Sequence, residues 1–541
     1  MKNYFKLIIM GLVVNIVTAQ PSSSDFDKLV LESFNDKDPG AVILVSKKGK
    51  VIYEKAVGKA NLEHNISLDK NSVFEIGSIT KQFTSVAVLQ LMEKGLLNLD
   101  DAVTKHLENL PQHFNKITIH HLLSHTSGLN NFTSEDSWVD LWRIDLSIDK
   151  TIEIFKNKPL EFKPGERFSY CNSGYILLGA IIEKVSGLTY ENYLQKNIFN
   201  PLNMGNSYFG SRSKIINNRV SGYQHNGNFV NAEYVTFSQS HAAGALMSTT
   251  NDLLKWNLGL TQNKVISKES LKLASQNHKL NSGSLLNYGY GWFINELEGY
   301  KTIEHGGGIF GFITYALYVP EEDIYVVVLT NYDRYNPEVI AVKLAILALN
   351  KQNQVVKPIK LKPEVAKQWV GVYEFDDKLI RNIIFEKDTL YSQLSGGNKI
   401  PLVPISDNEF MFSGISNAKL KFQVVDKNIN AQLINRIIIK NGIKTEKKKE
   451  IKSVTIDEAI LRTYTGDYKI PPALTFKVFV KNLTLFVQFL GQPEIECDAL
   501  SETHFFTKIG EAEINFVKND NEQNFSIVLK QNGKSFNAIK L

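Results

Sequence analysis

In "FEIGSITKQFTS", residues 74–85, Ser78 and Lys81 stand three apart where an apolar helical run begins. On a helix, residues i and i+3 share a face, so a hydroxyl and an amine can point into one cleft. A serine oxygen is a poor nucleophile until a neighbour takes its proton. A lysine can take it once burial or a nearby positive charge lowers its pKa. The apolar run behind Lys81 supplies the burial, and the Ser78 N–H at the helix start lies beside any oxyanion formed there. The spacing alone is unspecific. "SIDK" at Ser147 and "SRSK" at Ser211 repeat it in polar surroundings, and the bland reading of Ser78 is an ordinary helix start with a solvated lysine.

Two further elements change the weighing. "FSYCNSGY" sets Tyr170 and Asn172 two apart at the threshold of a second apolar helix. A tyrosine hydroxyl beside a lysine can pass protons to and from a leaving group, and an asparagine amide can hold a substrate carbonyl and the lysine together. The bland alternative is a core tyrosine and a helix-capping asparagine. "IEHGGGIFGF" then brings His305, Gly306, Gly307 and Gly308 before a late pair of strands. Glycines on a strand edge let a substrate backbone lie against the sheet. "YEN" at Tyr190 and "HNG" at His225 imitate these motifs without such surroundings.

The elements that must position these residues follow from periodicity. "AVILVSKKGKVIYEKAVGKAN" reads as a hairpin turning at residues 47–50, and "GFITYALYVPEEDIYVVVLTNYD" as a second turning at 320–323. Between them "TKQFTSVAVLQLMEKG" and "GYILLGAIIEKVSG" are helices apolar on nearly every face, ending at Gly95 and Gly187. A sheet built from both ends of the domain, with a helical lobe inserted, is therefore expected: an α/β (α+β) domain. "PEVIAVKLAILALN" closes it, and "KQNQVVKPIKLKP" is a linker by composition.

Beyond about residue 364 the texture turns to short alternating strands with an internal repeat. "WVGVYEF" at Trp369 matches "YTGDYKI" at Tyr464, and Gly371/Gly466, Gly396/Gly491, Leu402/Cys497 and Phe410/Phe505 keep the same offset. Two tandem all-β units of barrel type are expected. The division is residues 1–19, 20–352, 364–455 and 456–541.

Residues 1–19 read as a signal peptide: Lys2 and Lys6 precede "LIIMGLVV", with Val17 and Ala19 at cleavage-type positions. The run is well short of the roughly 18–20 apolar residues of a span. An exported, periplasmic or extracellular protein without an integral span after cleavage is expected. The two cysteines, Cys171 and Cys497, fall in different domains, which argues for apolar fillers rather than a bridge. A net charge of +5, with both signs interspersed through "KTEKKKEIK" from Lys444, excludes nucleic acid as the expected partner. His120, His121 and His125 cluster, but the first and last do not share a helical face and no carboxylate is suitably placed, so packing is expected and no metal. No phosphate loop or nucleotide fingerprint occurs, so no cofactor is expected.

The ordered set Ser78–Lys81, Tyr170–Asn172 and His305–Gly308 resembles the serine β-lactamase and penicillin-binding protein superfamily, in its class C-like branch of D,D-carboxypeptidases, D-aminopeptidases and esterases. The resemblance covers about residues 25–350 and extends to "ITIHHLLSHTSGL", "PGERFSYCNSGYILLGAIIEKVSG" and "AGALMSTTNDLLKW". It implies the β-lactamase/transpeptidase-like fold and a two-step acyl transfer. Ser78 would be acylated, with Lys81 as base or proton relay. Tyr170 would shuttle the proton to the leaving group, and Asn172 would bind the acyl-side amide. The N–H groups of Ser78 and Gly308 would form the oxyanion hole. His305, Gly306 and Gly307 would line the substrate. Where relatives carry a lysine this chain has His305, mostly neutral at pH 7, which weakens the carboxypeptidase and β-lactamase readings. D-aminopeptidases of the superfamily are similar in carrying two C-terminal barrels. The expected function is hydrolysis of peptides or amides containing D-residues. The alternatives are an esterase or weak β-lactamase, a peptidoglycan- or β-lactam-binding protein without turnover, and a structural role led by the β units. The sequence sets neither the natural substrate nor the oligomeric state.

Overall fold

A computed structural model describes residues 21–541 apart from 136–137, 139, 351–357, 376–379, 395–398, 414–417, 427, 436–438, 446–453, 471–473, 490–493, 508–511, 519–524 and 532–533. The expected signal peptide, most of the linker and basic run, and Gly396 and Gly491 lie outside the described residues.

The first unit is organised by a six-stranded antiparallel sheet. Its strands are β1 (Ala41–Lys47), β2 (Lys50–Val57), β3 (Phe293–Leu297), β4 (Tyr300–Ile309), β5 (Phe312–Val319) and β6 (Ile324–Thr330), in the order β3-β4-β5-β6-β1-β2. Both expected hairpins form, and β1 lies directly against β6, joining the ends of the unit. Successive side chains alternate between faces, so each central strand feeds two cores. Val42, Leu44, Val327 and Leu329 face the helical lobe. Ile43, Val45, Val326 and Val328 face helices α1 (Ser23–Leu31) and α7 (Pro337–Ala348). Burial on both faces explains why "AVILV" and "IYVVVLT" are continuous apolar runs.

The lobe is built around α2 (Thr80–Glu93), buried from Thr80 through Leu91. Around it pack α3 (Asn172–Ser186), ended by a left-handed Gly187, and α4 (Phe237–Gly244). On another side stands α5 (Thr250–Thr261), whose Trp256 stacks on Phe83 of α2 at 4.1 Å between ring centroids. The short α6 (Lys268–Ala274) follows. A helix enclosed by neighbours on every side has no use for a polar stripe, and "FTSVAVLQL" has none.

Two closed eight-stranded barrels follow, from Gly371–Phe375 to Ile439–Thr445 and from Gly466–Ile470 to Lys534–Lys540. In each, the first strand pairs with the last, which removes open edges. The repeat appears as repeated contacts. The Tyr373 hydroxyl donates to the Trp369 carbonyl at 2.8 Å, and Tyr468 to Tyr464 at 2.9 Å. Leu390 pairs with Leu402 as Leu485 pairs with Cys497. Cys171 and Cys497 are both free and buried. Among the described residues no helix is long and apolar enough to cross a membrane.

Asn331, fully buried after β6, knots three segments together. It accepts from the Gly40 N–H at 2.7 Å and donates to the Lys59 and Ser221 carbonyls at 2.9 Å each. Asn331→Ala strands these backbone groups without partners, at about 1–3 kcal/mol for each buried group left unsatisfied. We expect a loss of about 3 kcal/mol or more, read as a lower urea midpoint for the sheet-containing unit. An unchanged midpoint would contradict the knot.

Candidate active site

The site is assembled where α2 begins. Gly77, at φ +52°, turns the chain sharply from the short strand Phe74–Glu75 into a single 3-10 turn, Gly77–Ile79, that runs into α2. Ser78 sits on this turn, partly exposed. One turn on, Lys81 has no exposed surface. Its Nζ lies 3.1 Å from Ser78 Oγ, 2.8 Å from Asn172 Oδ1 and 2.8 Å from the Ala243 carbonyl oxygen of α4. Burial pulls the Lys81 pKa down to about 7, and no carboxylate stands among the groups acting on it. The amine is therefore available in its neutral form near neutral pH.

Tyr170 packs its ring against Lys81, 4.7 Å from Nζ to the centroid. Its hydroxyl is buried without a completed hydrogen bond. Burial raises its pKa well above the ordinary value, and Ser78 is the side chain that opposes the rise. At neutral pH it is a protonated donor facing the serine. Asn172, the first residue of α3, is fixed on both sides. Its backbone N–H donates to Asn131 Oδ1 and its Nδ2 to Thr133 Oγ1, both at 2.9 Å, which leaves Oδ1 turned to Lys81. Behind Tyr170, the His125 ring packs tilted at 4.2 Å between centroids and accepts from the Cys171 N–H at 3.1 Å. His125 adopts φ +57°, a conformation needed to turn "HTSG" under the site.

The third wall is β4. Its neighbour β3 pairs only as far as Glu304, so from His305 onward that edge of β4 carries no strand. The serine turn closes on this edge. A side chain on Gly77 would lie 2.8 Å from the Gly308 nitrogen, and one on Gly307 would lie 1.9 Å from the Ile76 carbonyl oxygen. The Thr314 hydroxyl clamps the same carbonyl at 2.9 Å. Gly307 is thus a packing vacancy for the serine turn, while Gly308 is exposed beside it. Gly306 lies over the Tyr315 ring.

His305 is buried, and its Nδ1 faces the Gly306 carbonyl oxygen at 2.6 Å. A carbonyl only accepts, so Nδ1 carries the proton and Nε2 accepts from the Tyr288 hydroxyl at 3.1 Å. Burial first, then the Lys81 charge, press its pKa down to about 3. His305 is a neutral group here.

The structure thus brings Ser78, Lys81, Tyr170 and Asn172 together, with the His305–Gly308 strand alongside. The imitators go elsewhere. Ser147 caps a helix by accepting from the Lys150 N–H, and Ser211 Oγ accepts from the Lys214 N–H. The Tyr190 hydroxyl is shared with Thr84, and His225 meets Tyr332. His120 and His121 bind Tyr290 and Thr118. Asn131, Thr133, Tyr288 and the Ala243 carbonyl were not foreseen. They lie in irregular segments or a short 3-10 turn, or act through the backbone, where periodicity carries no signal.

The Beta-lactamase family profile matches residues 28–351. "Penicillin-binding protein 4*" of Bacillus subtilis (strain 168) is 28% identical over 406 residues, covering 69% of this chain and 88% of its own. The octameric penicillin-binding protein homologue from Pyrococcus abyssi aligns with a TM-score of 0.56 and 29% identity, over 77% of this chain and 98% of that one. A D-stereospecific amidohydrolase from Streptomyces sp. aligns with a TM-score of 0.52 and 23% identity, over 60% of this chain and 98% of that one, a likeness of fold.

The Lys81 shift has a consequence for stability. An unfolded chain holds this proton up to the ordinary 10.5, whereas the folded protein releases it above about 7. Between those values the unfolded state binds more protons, so stability rises with pH. We expect the rise between pH 7 and 9.5 to be shallower in Lys81→Met, measured as thermal midpoint against pH. Parallel curves would contradict the assignment.

Proposed function

The chain belongs to the beta-lactamase family of serine hydrolases, and from that premise we propose that Ser78 is its acylated nucleophile and that amides or peptides with D-residues are its substrates. The observation that carries the reading is the enclosed triangle of Ser78 Oγ, Lys81 Nζ and Asn172 Oδ1. Neutral Lys81 takes the hydroxyl proton as Ser78 Oγ attacks the substrate carbonyl carbon. The oxyanion meets the Ser78 and Gly308 N–H groups, a role supported by the tight approach of Gly77 to the Gly308 nitrogen. Tyr170 gives its proton to the departing amine and regains one from Lys81, and the acyl-enzyme remains. Water, deprotonated through the same pair, then attacks the ester carbon and Ser78 leaves with its proton restored. Asn172 holds the acyl-side amide, and Gly306 and Gly307 belong to the strand along which substrate lies.

The substrate preference rests on His305. Because that imidazole is neutral and engaged with Tyr288 and Gly306, it offers no cation to a free C-terminal carboxylate. This favours amide and ester substrates over carboxypeptidase-type substrates and β-lactams. An exported protein with a leader of 19 residues and units at 20–352, 364–455 and 456–541 belongs to the same reading.

Purified protein is given a D-alanyl anilide, a short-chain aryl ester and a chromogenic cephalosporin, with intact-mass detection of adducts. We expect kcat/KM for the anilide to exceed that for the cephalosporin and to climb with pH through about 7. Ser78→Ala should lose roughly 10³-fold or more, while Ser147→Ala keeps full activity. Equal, slow hydrolysis by wild type and Ser78→Ala would end the proposal. A stable adduct without release would turn it into a binder. A second comparison sets a D-Ala-D-Ala peptide against its C-terminal amide. A strong preference for the free acid would refute the role given to neutral His305.

A further inference from the structure

Beside α2, at Gln82, lies a cavity of about 510 Å³, which none of Ser78, Tyr170, Asn172 and His305 lines. Its walls include Trp256 and Leu260 of α5, Trp292, and Ile303, Tyr318 and Tyr325 of the sheet. Trp256, Trp292 and Tyr325 are at most 5% exposed, so these walls are held by the core rather than by the cavity's contents. The Trp256 N–H donates to Gln82 Oε1 at 3.0 Å, which satisfies its polar atom and leaves the ring apolar.

The polar lining is one-sided in charge. Lys268, Lys272 and Lys301 line the cavity, and no aspartate or glutamate does. Lys268 and Lys272 are four apart on α6, hence on one face, and both are exposed, which puts them at the solvent side. Neither has an ion-pair partner among the described residues. Lys301 is half-buried and donates to the Ser275 carbonyl oxygen at 2.6 Å, with Glu321 as the carboxylate that acts on it. The cavity has the size of a small-molecule site. An apolar body under a rim of unpaired ammonium groups suits an anion with a hydrocarbon tail, through charge-assisted hydrogen bonds at one end and burial at the other.

We propose that this cavity binds an amphipathic monoanion, a medium-chain aliphatic carboxylate, with its chain among Trp256, Leu260 and Trp292 and its carboxylate at Lys268 and Lys272. The proposal is independent of the role given to Ser78.

The full chain is titrated with 11-bromoundecanoate while tryptophan fluorescence is followed, because bromine on the tail quenches only an adjacent indole. The expected result is saturable quenching that falls in amplitude in Trp292→Phe. In Lys268→Glu/Lys272→Glu, both surface changes, the apparent Kd for the carboxylate should rise at least tenfold with an unchanged thermal midpoint. The Kd for 11-bromoundecanol should stay within twofold. Absence of saturable quenching would overturn the proposal. So would an unchanged carboxylate Kd in the double variant, which would place the ligand elsewhere or leave an apolar void without selectivity.

Discussion

An amine sealed from water among three oxygen atoms is the constraint from which the catalytic unit follows. A charged Lys81 in that position is costly, and with no carboxylate beside it the proton is loosely held. Sealing it requires α2 to be buried along its length, which the neighbouring helices and the Gly291 loop against the Lys81 carbonyl achieve. The same enclosure requires Asn172 to hold one rotamer, which Asn131 and Thr133 enforce. It also requires α4 to present the Ala243 carbonyl inward. Just before Ala243, His241 adopts φ 29° and ψ −127°, an unusual backbone for a side chain of that size. The segment that supplies the third oxygen is thus bent to do so.

Much of this was legible in the sequence, for identifiable reasons. Ser78, Lys81, Tyr170 and Asn172 could be read because each stands at the head of a run too apolar to face water. The sheet could be read because continuous apolar strands flanked tight turns, and the barrels because one set of core residues recurs at a fixed offset. Spacing did not separate Ser78 from Ser147 and Ser211; the buried helix behind Lys81 and the partners at Tyr170, Asn172 and His305 did. What stayed hidden was contributed by loops and by main-chain atoms. A carbonyl such as that of Ala243 has no side-chain signature. The hydrogen bond from Tyr288 to His305 joins residues whose proximity depends on the β3–β4 register.

The strand beside the serine shows how composition serves geometry. Three successive glycines invite the reading of flexibility, yet they occupy distinct surroundings. Gly307 is where the Ile76 carbonyl enters, Gly308 faces outward, and Gly306 rests on Tyr315. His305 stands where the resemblance implies a lysine, and its neutral imidazole is satisfied by the Tyr288 hydroxyl and the Gly306 carbonyl.

The pairing of β1 with β6 sets Ala41 against Thr330. During synthesis, therefore, the first hairpin emerges long before its neighbour exists. Its apolar faces have no sheet to join until nearly the whole unit has left the ribosome. The edge that receives the serine turn, β4, also arrives late. The sheet and the reactive centre are thus both completed by the last strands of the unit, and a chain truncated before β6 lacks the strand that joins β1 to β5.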